Sequence, residues 1–133
     1  MNVIELRIGN YVNIEGDVVK VKEIYEKSIH YANSEYESYA TEDFIQPIEL
    51  TEDILTKIGF KKGYNEIYSM ELCTECYDYY ISYQNVKDNK HSFVASGYNN
   101  ELKRQIRLDN IQYLHELQNI FFSFTNQELE IKL

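Results

Sequence analysis

Few residues in this chain are of a type and spacing that could do chemistry. Cys73-Thr74-Glu75-Cys76 is one such motif, since a Cys-x-x-Cys pair serves zinc knuckles and thiol–disulfide exchange. A zinc site needs two further ligands, yet the chain has no second Cys-x-x-Cys and its histidines, His30, His91 and His115, are scattered singly. A redox pair should follow a strand and open a helix, whose N-terminus lowers the first thiol's pKa. Here a tyrosine-rich strand pattern follows instead, so the pair reads as a turn or strand start, and the expectation is no metal and no cofactor. His30 and His115 are the candidate acid–base groups, and His115 reads as a boundary residue beside the apolar stripe of a helix. No serine sits in a Gly-x-Ser-x-Gly elbow, and neither a phosphate loop nor an HExxH helix is present. The acid pairs Glu52–Asp53 and Glu35–Glu37 suit a helix start and a solvated surface. No catalytic residue is assigned.

Binding residues are the alternative. Lys103, Arg104 and Arg107 form the main basic cluster and would face phosphate if the chain held nucleic acid. The overall charge argues against that partner, because the net formal charge is −9. Residues 1–50 carry four basic against ten acidic groups, so the more acidic half is also the one with a barrel-like pattern. Thirteen tyrosines, six phenylalanines and no tryptophan make tyrosine the main aromatic of the core. Tyr80, on the polar side of its strand, and Tyr68 are the rings expected to face outward as interaction residues.

These residues must be positioned by short β elements and two helices. Val12, Ile14, Val19 and Val21 alternate on either side of Glu15-Gly16-Asp17, as a half-buried hairpin requires. Further short strands are expected around Ile29–Tyr31, Tyr36–Ala40 and Phe44–Ile48, enough for a small SH3-like β-barrel-type part over residues 1–49. Residues 50–133 form the second, α+β part, the two packing as one unit. Its first helix is capped by Thr51 and stopped by Gly59, with Ile54, Leu55 and Ile58 as the apolar stripe. A meander follows, with strands at Tyr64–Glu71, Tyr77–Gln84, Ser92–Ser96 and Leu102–Leu108. Ile111, Leu114, Leu117, Ile120 or Phe121, and Phe124 recur at helical spacing after Asp109, which is the expected cap. Gln112, Glu116 and Asn119 mark the polar side of this closing helix, which is expected to cover the meander. The fold class is thus α+β: a barrel-type part, then an antiparallel sheet with two helices on one face. The tail Glu128–Leu133 alternates and would add a strand or fray.

No stretch approaches the roughly 20 apolar residues of a membrane span. No signal-peptide pattern opens the sequence, and two cysteines make no disulfide framework, so a reducing cytoplasmic setting is expected.

Three islands of sequence resemble a known group. Glu5-Leu6-Arg7-Ile8-Gly9-Asn10-Tyr11-Val12 is similar to the opening of short Bacteroidetes proteins, many borne on prophages or conjugative elements. Pro47-Ile48-Glu49-Leu50-Thr51-Glu52 with Leu55, Gly59 and Phe60 is similar to their middle. Tyr113-Leu114-His115-Glu116-Leu117-Gln118-Asn119 with Phe121 and Phe122 is similar to their closing helix. That group has no assigned activity, so the resemblance implies only a cytosolic bacterial or phage accessory protein. The leading expectation is a non-enzymatic module that binds another protein or itself. Its alternatives are a nucleic-acid-associated accessory protein and an enzyme with a site between the two parts.

Overall fold

The computed structural model describes residues 1–63, 67–73, 78–86, 90–98, 103–109 and 111–132, with side chains described for 1–63, 68–70, 111–123 and 125–132. The chain forms two compact units, one of residues 1–50 with 113–131 and one of residues 51–112.

In the first unit, strands β1 (Tyr11–Ile14) and β2 (Asp17–Ile24) form the expected hairpin, in register Ile14↔Asp17. Both turn residues take positive φ, Glu15 at 52° and Gly16 at 96°, the sign pattern of the type I′ turn that suits twisted strands. The Asn13 Oδ1 accepts the Gly16 N–H at 2.9 Å and fastens the loop. β3 (Ser28–Ala32) and β4 (Glu37–Thr41) continue the sheet, and β5 (Ile45–Gln46) returns to pair with β1. The order β4-β3-β2-β1-β5 gives a curled, antiparallel, barrel-like sheet. A bulge between Val21 and Glu23 bends β2 and adds to the curl. Val12, Ile14, Val19, Val21, Ile29, Tyr31, Ala40 and Ile45 point inward and form one core with Val3 and Leu6. Burying each aliphatic side chain contributes about 1.5–3 kcal/mol.

The closing helix α2 (Leu114–Thr125) belongs to this unit, which corrects the expectation that it covers the meander. Leu114, Leu117 and Phe121 are buried as the apolar stripe requires. Gln118 and Asn119 tie the helix to β1: the Gln118 Oε1 accepts from the Tyr11 N–H, and Asn119 joins Asn10. Periodicity in the sequence specifies that a helix has an apolar face, but not which sheet lies under it. The helix also starts later than expected. Asp109 ends a strand, and Tyr113 occupies the cap position, its N–H donating to the Glu116 carboxylate at 3.0 Å. The Leu114 N–H donates to the Ile48 carbonyl at 2.8 Å, so main chain replaces the expected Asp cap. Asn126, left-handed at φ 55°, ends the helix and donates its N–H to the Phe122 carbonyl.

Residues 126–132 form no strand. Leu129 is buried, and Arg7 grips Glu128 with two bonds of 2.5 and 3.0 Å, so the tail lies against the first unit without a ladder.

The second unit opens with α1 (Glu52–Lys57), capped as expected: the Thr51 Oγ1 accepts the Ile54 N–H, and Gly59 takes φ 105°. Leu55, Ile58 and Phe60 are buried. A five-stranded antiparallel sheet follows in the order β10-β9-β8-β7-β6. Its strands are β6 (Lys61–Lys62), β7 (Ile67–Cys73), β8 (Asp78–Val86), β9 (Lys90–Tyr98) and β10 (Lys103–Asp109). The meander is as expected in kind, with a longer third arm, a fourth arm shifted by one residue and the added two-residue β6. The whole is therefore α+β with a barrel-like part, and each unit carries one helix.

Candidate interaction surface

The first and third sequence islands meet in the first unit, and their residues bind one another. Asn10, fully buried, receives the Arg7 N–H on its Oδ1 at 2.7 Å and donates from its Nδ2 to the Asn119 Oδ1 at 2.9 Å. Asn119 in turn donates to the Glu5 carbonyl, and Gln118 donates to the Gly9 carbonyl at 3.1 Å. The Arg7 guanidinium lies 4.1 Å from the centre of the Phe122 ring. Most polar groups in this junction are taken up by another part of the same fold and hold helix to sheet, while the Arg7 Nε and both His115 ring nitrogens have no hydrogen-bond partner.

His115 is part of this junction. It is 1% exposed, stacks on Tyr113 and has neither ring nitrogen hydrogen-bonded; the Glu5 carboxylate is 4.0 Å from its Nε2. Burial pushes its pKa below the ordinary histidine value, the nearby Glu116 and Glu5 pulling the other way. It is a neutral core residue, deeper than the boundary position the sequence suggests.

The outward face of the barrel-like sheet is different in kind. β-pairing sets Tyr39 opposite His30 and His30 opposite Glu23. The His30 ring stacks on Tyr39 with centroids 4.8 Å apart, and Tyr25 lies 6.1 Å from Tyr39. Tyr39 is 64% exposed and Tyr25 is 44% exposed, so two large rings are held in order at the surface. Glu23 and Glu37 flank the imidazole, at 3.8 Å from its Nδ1 and 3.5 Å from its Nε2. Because the carboxylates sit on opposite ring edges, the three groups cannot converge on one ion. Among the described residues no cluster of three or more metal-ligating side chains exists. The Tyr25 hydroxyl donates to Glu23, which pushes its pKa up to about 12. That phenol remains a protonated donor throughout the neutral range.

Towards β1 the same face carries a groove of about 440 Å³, lined by Tyr11, Val18, Lys20, Lys22, Ala32 and Ile131, with Asn33 and Ser34 at one end. Register explains this: Lys20 stands between Tyr11 on β1 and Ala32 on β3.

The residues singled out from sequence fare as follows. Tyr68 is corrected: at 5% exposure it is a buried ring, with the Lys62 ammonium 5.9 Å from its centre, and it offers no outward surface. In β7 it stands opposite Lys62 of β6 and Tyr83 of β8. Tyr80 is a central β8 residue opposite Glu71 and Ser96; its side chain lies outside the described residues. Lys103, Arg104 and Arg107 fall on the edge strand β10, opposite Tyr98, Gly97 and Val94. Positions 103 and 107 share one phase of the strand and 104 has the other; their side chains too lie outside the described residues. Cys73 ends β7, while Cys76 lies outside the described residues. The Tyr25–His30–Tyr39 cluster and the lysine groove escape sequence reading because each is assembled across strands. The only local signal was the alternation of Lys20, Lys22, His30 and Tyr39 with buried neighbours.

No helix among the described residues is long and apolar enough to cross a membrane. No family model matches this chain, and no curated protein or solved structure is similar to it.

Proposed function

We propose that this chain is a non-enzymatic interaction module that docks a protein partner, or a second copy of itself, on the outward face of its N-terminal sheet. The barrel-like part serves in the manner of a small SH3-like barrel, as a rigid support for a recognition surface. The observation that carries this reading is the pair of exposed rings, Tyr25 and Tyr39, ordered by the stacked His30. Tyrosine gives a large contact area with little side-chain entropy to lose, which is why it is enriched where proteins meet. β4, which carries Tyr39, is an edge strand of its sheet, so a partner could meet ring and edge together. The resemblance of the three islands supports a cytosolic accessory role in a bacterial or phage system.

The test compares the natural chain with the Tyr25→Ser/Tyr39→Ser double variant. Light scattering over a concentration series reads self-association, and quantitative mass spectrometry of captured proteins reads a foreign partner. The expected result is association or a retained protein that the double variant loses. A chain that stays monomeric and retains the same proteins with and without the two rings overturns the reading.

A further inference from the structure

Lys20 and Lys22 lie two residues apart on β2 in a chain with 22 acidic and 13 basic residues, and neither has a carboxylate within ion-pair distance among the described residues. Glu128 is near enough to feel Lys20, but its oxygens are already held by Arg7. Both lysines line the groove described above, whose remaining walls are the apolar Val18, Ala32 and Ile131 and the ring of Tyr11. At its end the Asn33 Oδ1 accepts the N–H groups of Glu35 and Tyr36 and fixes the loop that closes the groove.

We infer that this groove binds an acidic peptide in extended conformation, its carboxylates on Lys20 and Lys22 and its intervening apolar side chains against Val18 and Ile131. The inference deepens the docking reading by naming the partner's chemistry, and it rests on the outward face being the binding surface. Three observations select this occupant. Lys20 and Lys22 line the same groove from one strand, so two cations stand along a single stretch of its wall. The groove has cations and apolar wall together, which suits a peptide that alternates the two. And the Lys20 ammonium sits 5.8 Å from the centre of the Tyr11 ring, covering the surface on which a nucleic-acid base would have to stack. Two cations in a chain of net charge −9 also give a phosphate backbone little to hold.

The experiment is fluorescence anisotropy of the full chain with a short dye-labelled peptide of alternating glutamate and valine. The same peptide with glutamine for glutamate and an oligothymidylate strand are measured beside it. Binding of the acidic peptide is expected to weaken about tenfold or more in Lys20→Glu and in Lys22→Glu, and similarly for the glutamine peptide. Lys22 is exposed, so Lys22→Glu keeps the fold and the test stands even if the Lys20 variant is destabilised. Tyr25→Ser/Tyr39→Ser should retain the peptide, because those rings lie outside the groove lining. No binding, equal binding of the glutamine peptide, or insensitivity to both lysine changes overturns the inference. Tighter, lysine-dependent binding of the oligothymidylate overturns it in favour of a phosphate ligand. Failure here with partner capture still dependent on Tyr25 and Tyr39 removes the groove and leaves the docking reading standing.

Discussion

Gln118 on the closing helix takes the place of a neighbouring strand for Tyr11: its Oε1 accepts the Tyr11 N–H at 2.9 Å, while its Nε2 donates to the Gly9 carbonyl at 3.1 Å. One buried amide thus satisfies two main-chain groups at the entry to β1. Removing it leaves both without partners in the core, which costs about 1–3 kcal/mol for each unsatisfied group. Gln118→Leu is therefore expected to lower stability by about 2–4 kcal/mol. Urea unfolding followed by circular dichroism measures it; a loss below about 0.5 kcal/mol, the size of an ordinary surface substitution, would show that the bridge is dispensable.

His115 sets a pH dependence. Its pKa in the folded chain is depressed below 6.5 by burial, so between that lower value and 6.5 the unfolded chain binds the extra proton. Stability is accordingly at its full value above pH 6.5 and falls as pH drops through this window. His115→Leu removes the titrating group and its unbonded ring nitrogens, and is expected to flatten this part of the profile. Urea midpoints of both proteins across the mildly acidic range provide the check. Parallel profiles would assign the acid sensitivity to other groups.

Two phenols should titrate late. Tyr25 donates to Glu23, and Tyr36 donates to Asp17 at 2.7 Å; each is pushed up to about 12 by its carboxylate acceptor. Glu23→Gln takes the negative charge from Tyr25 and should return that one phenol towards 10, leaving Tyr36 where it was. Ultraviolet phenolate titration of the natural chain and the variant reads the difference. An unchanged curve would mean that the Tyr25–Glu23 bond does not persist in solution.

The β1–β2 turn is strained at one position. Glu15 has a φ of 52°, in the left-handed region that costs a non-glycine residue about 1–2 kcal/mol. Asparagine tolerates this region and, followed by Gly16, makes the favoured Asn-Gly turn. Glu15→Asn is expected to stabilise the chain by up to about 1 kcal/mol, and Gly16→Ala, at φ 96°, to destabilise it by about 1 kcal/mol or more. Thermal unfolding of the two variants would show opposite shifts; a shift of the same sign in both would count against the turn geometry.

Much of the local structure was written in the chain itself. The alternation of Val12, Ile14, Val19 and Val21 specified a hairpin with one buried face, because side chains on a strand repeat every second residue. Thr51 and Gly59 marked both ends of α1, since cap and left-handed stop each depend on the chemistry of one residue. Leu114, Leu117 and Phe121 likewise announced an amphipathic helix. What the tertiary structure alone decided was partnership. Asn119 reads as the polar side of its helix, and it links to the buried Asn10, as the buried Gln118 links to Tyr11, only when residues more than a hundred positions apart are brought together. Tyr68 gave an ambiguous local pattern and is buried in the folded chain. The pairing of His30 with Tyr39, and of Lys20 with Tyr11 and Ala32, is a matter of strand register. Periodicity tells a segment which of its faces is apolar, whereas the identity of what covers that face, and what stands beside its opposite side, depends on the energy of the whole packed chain.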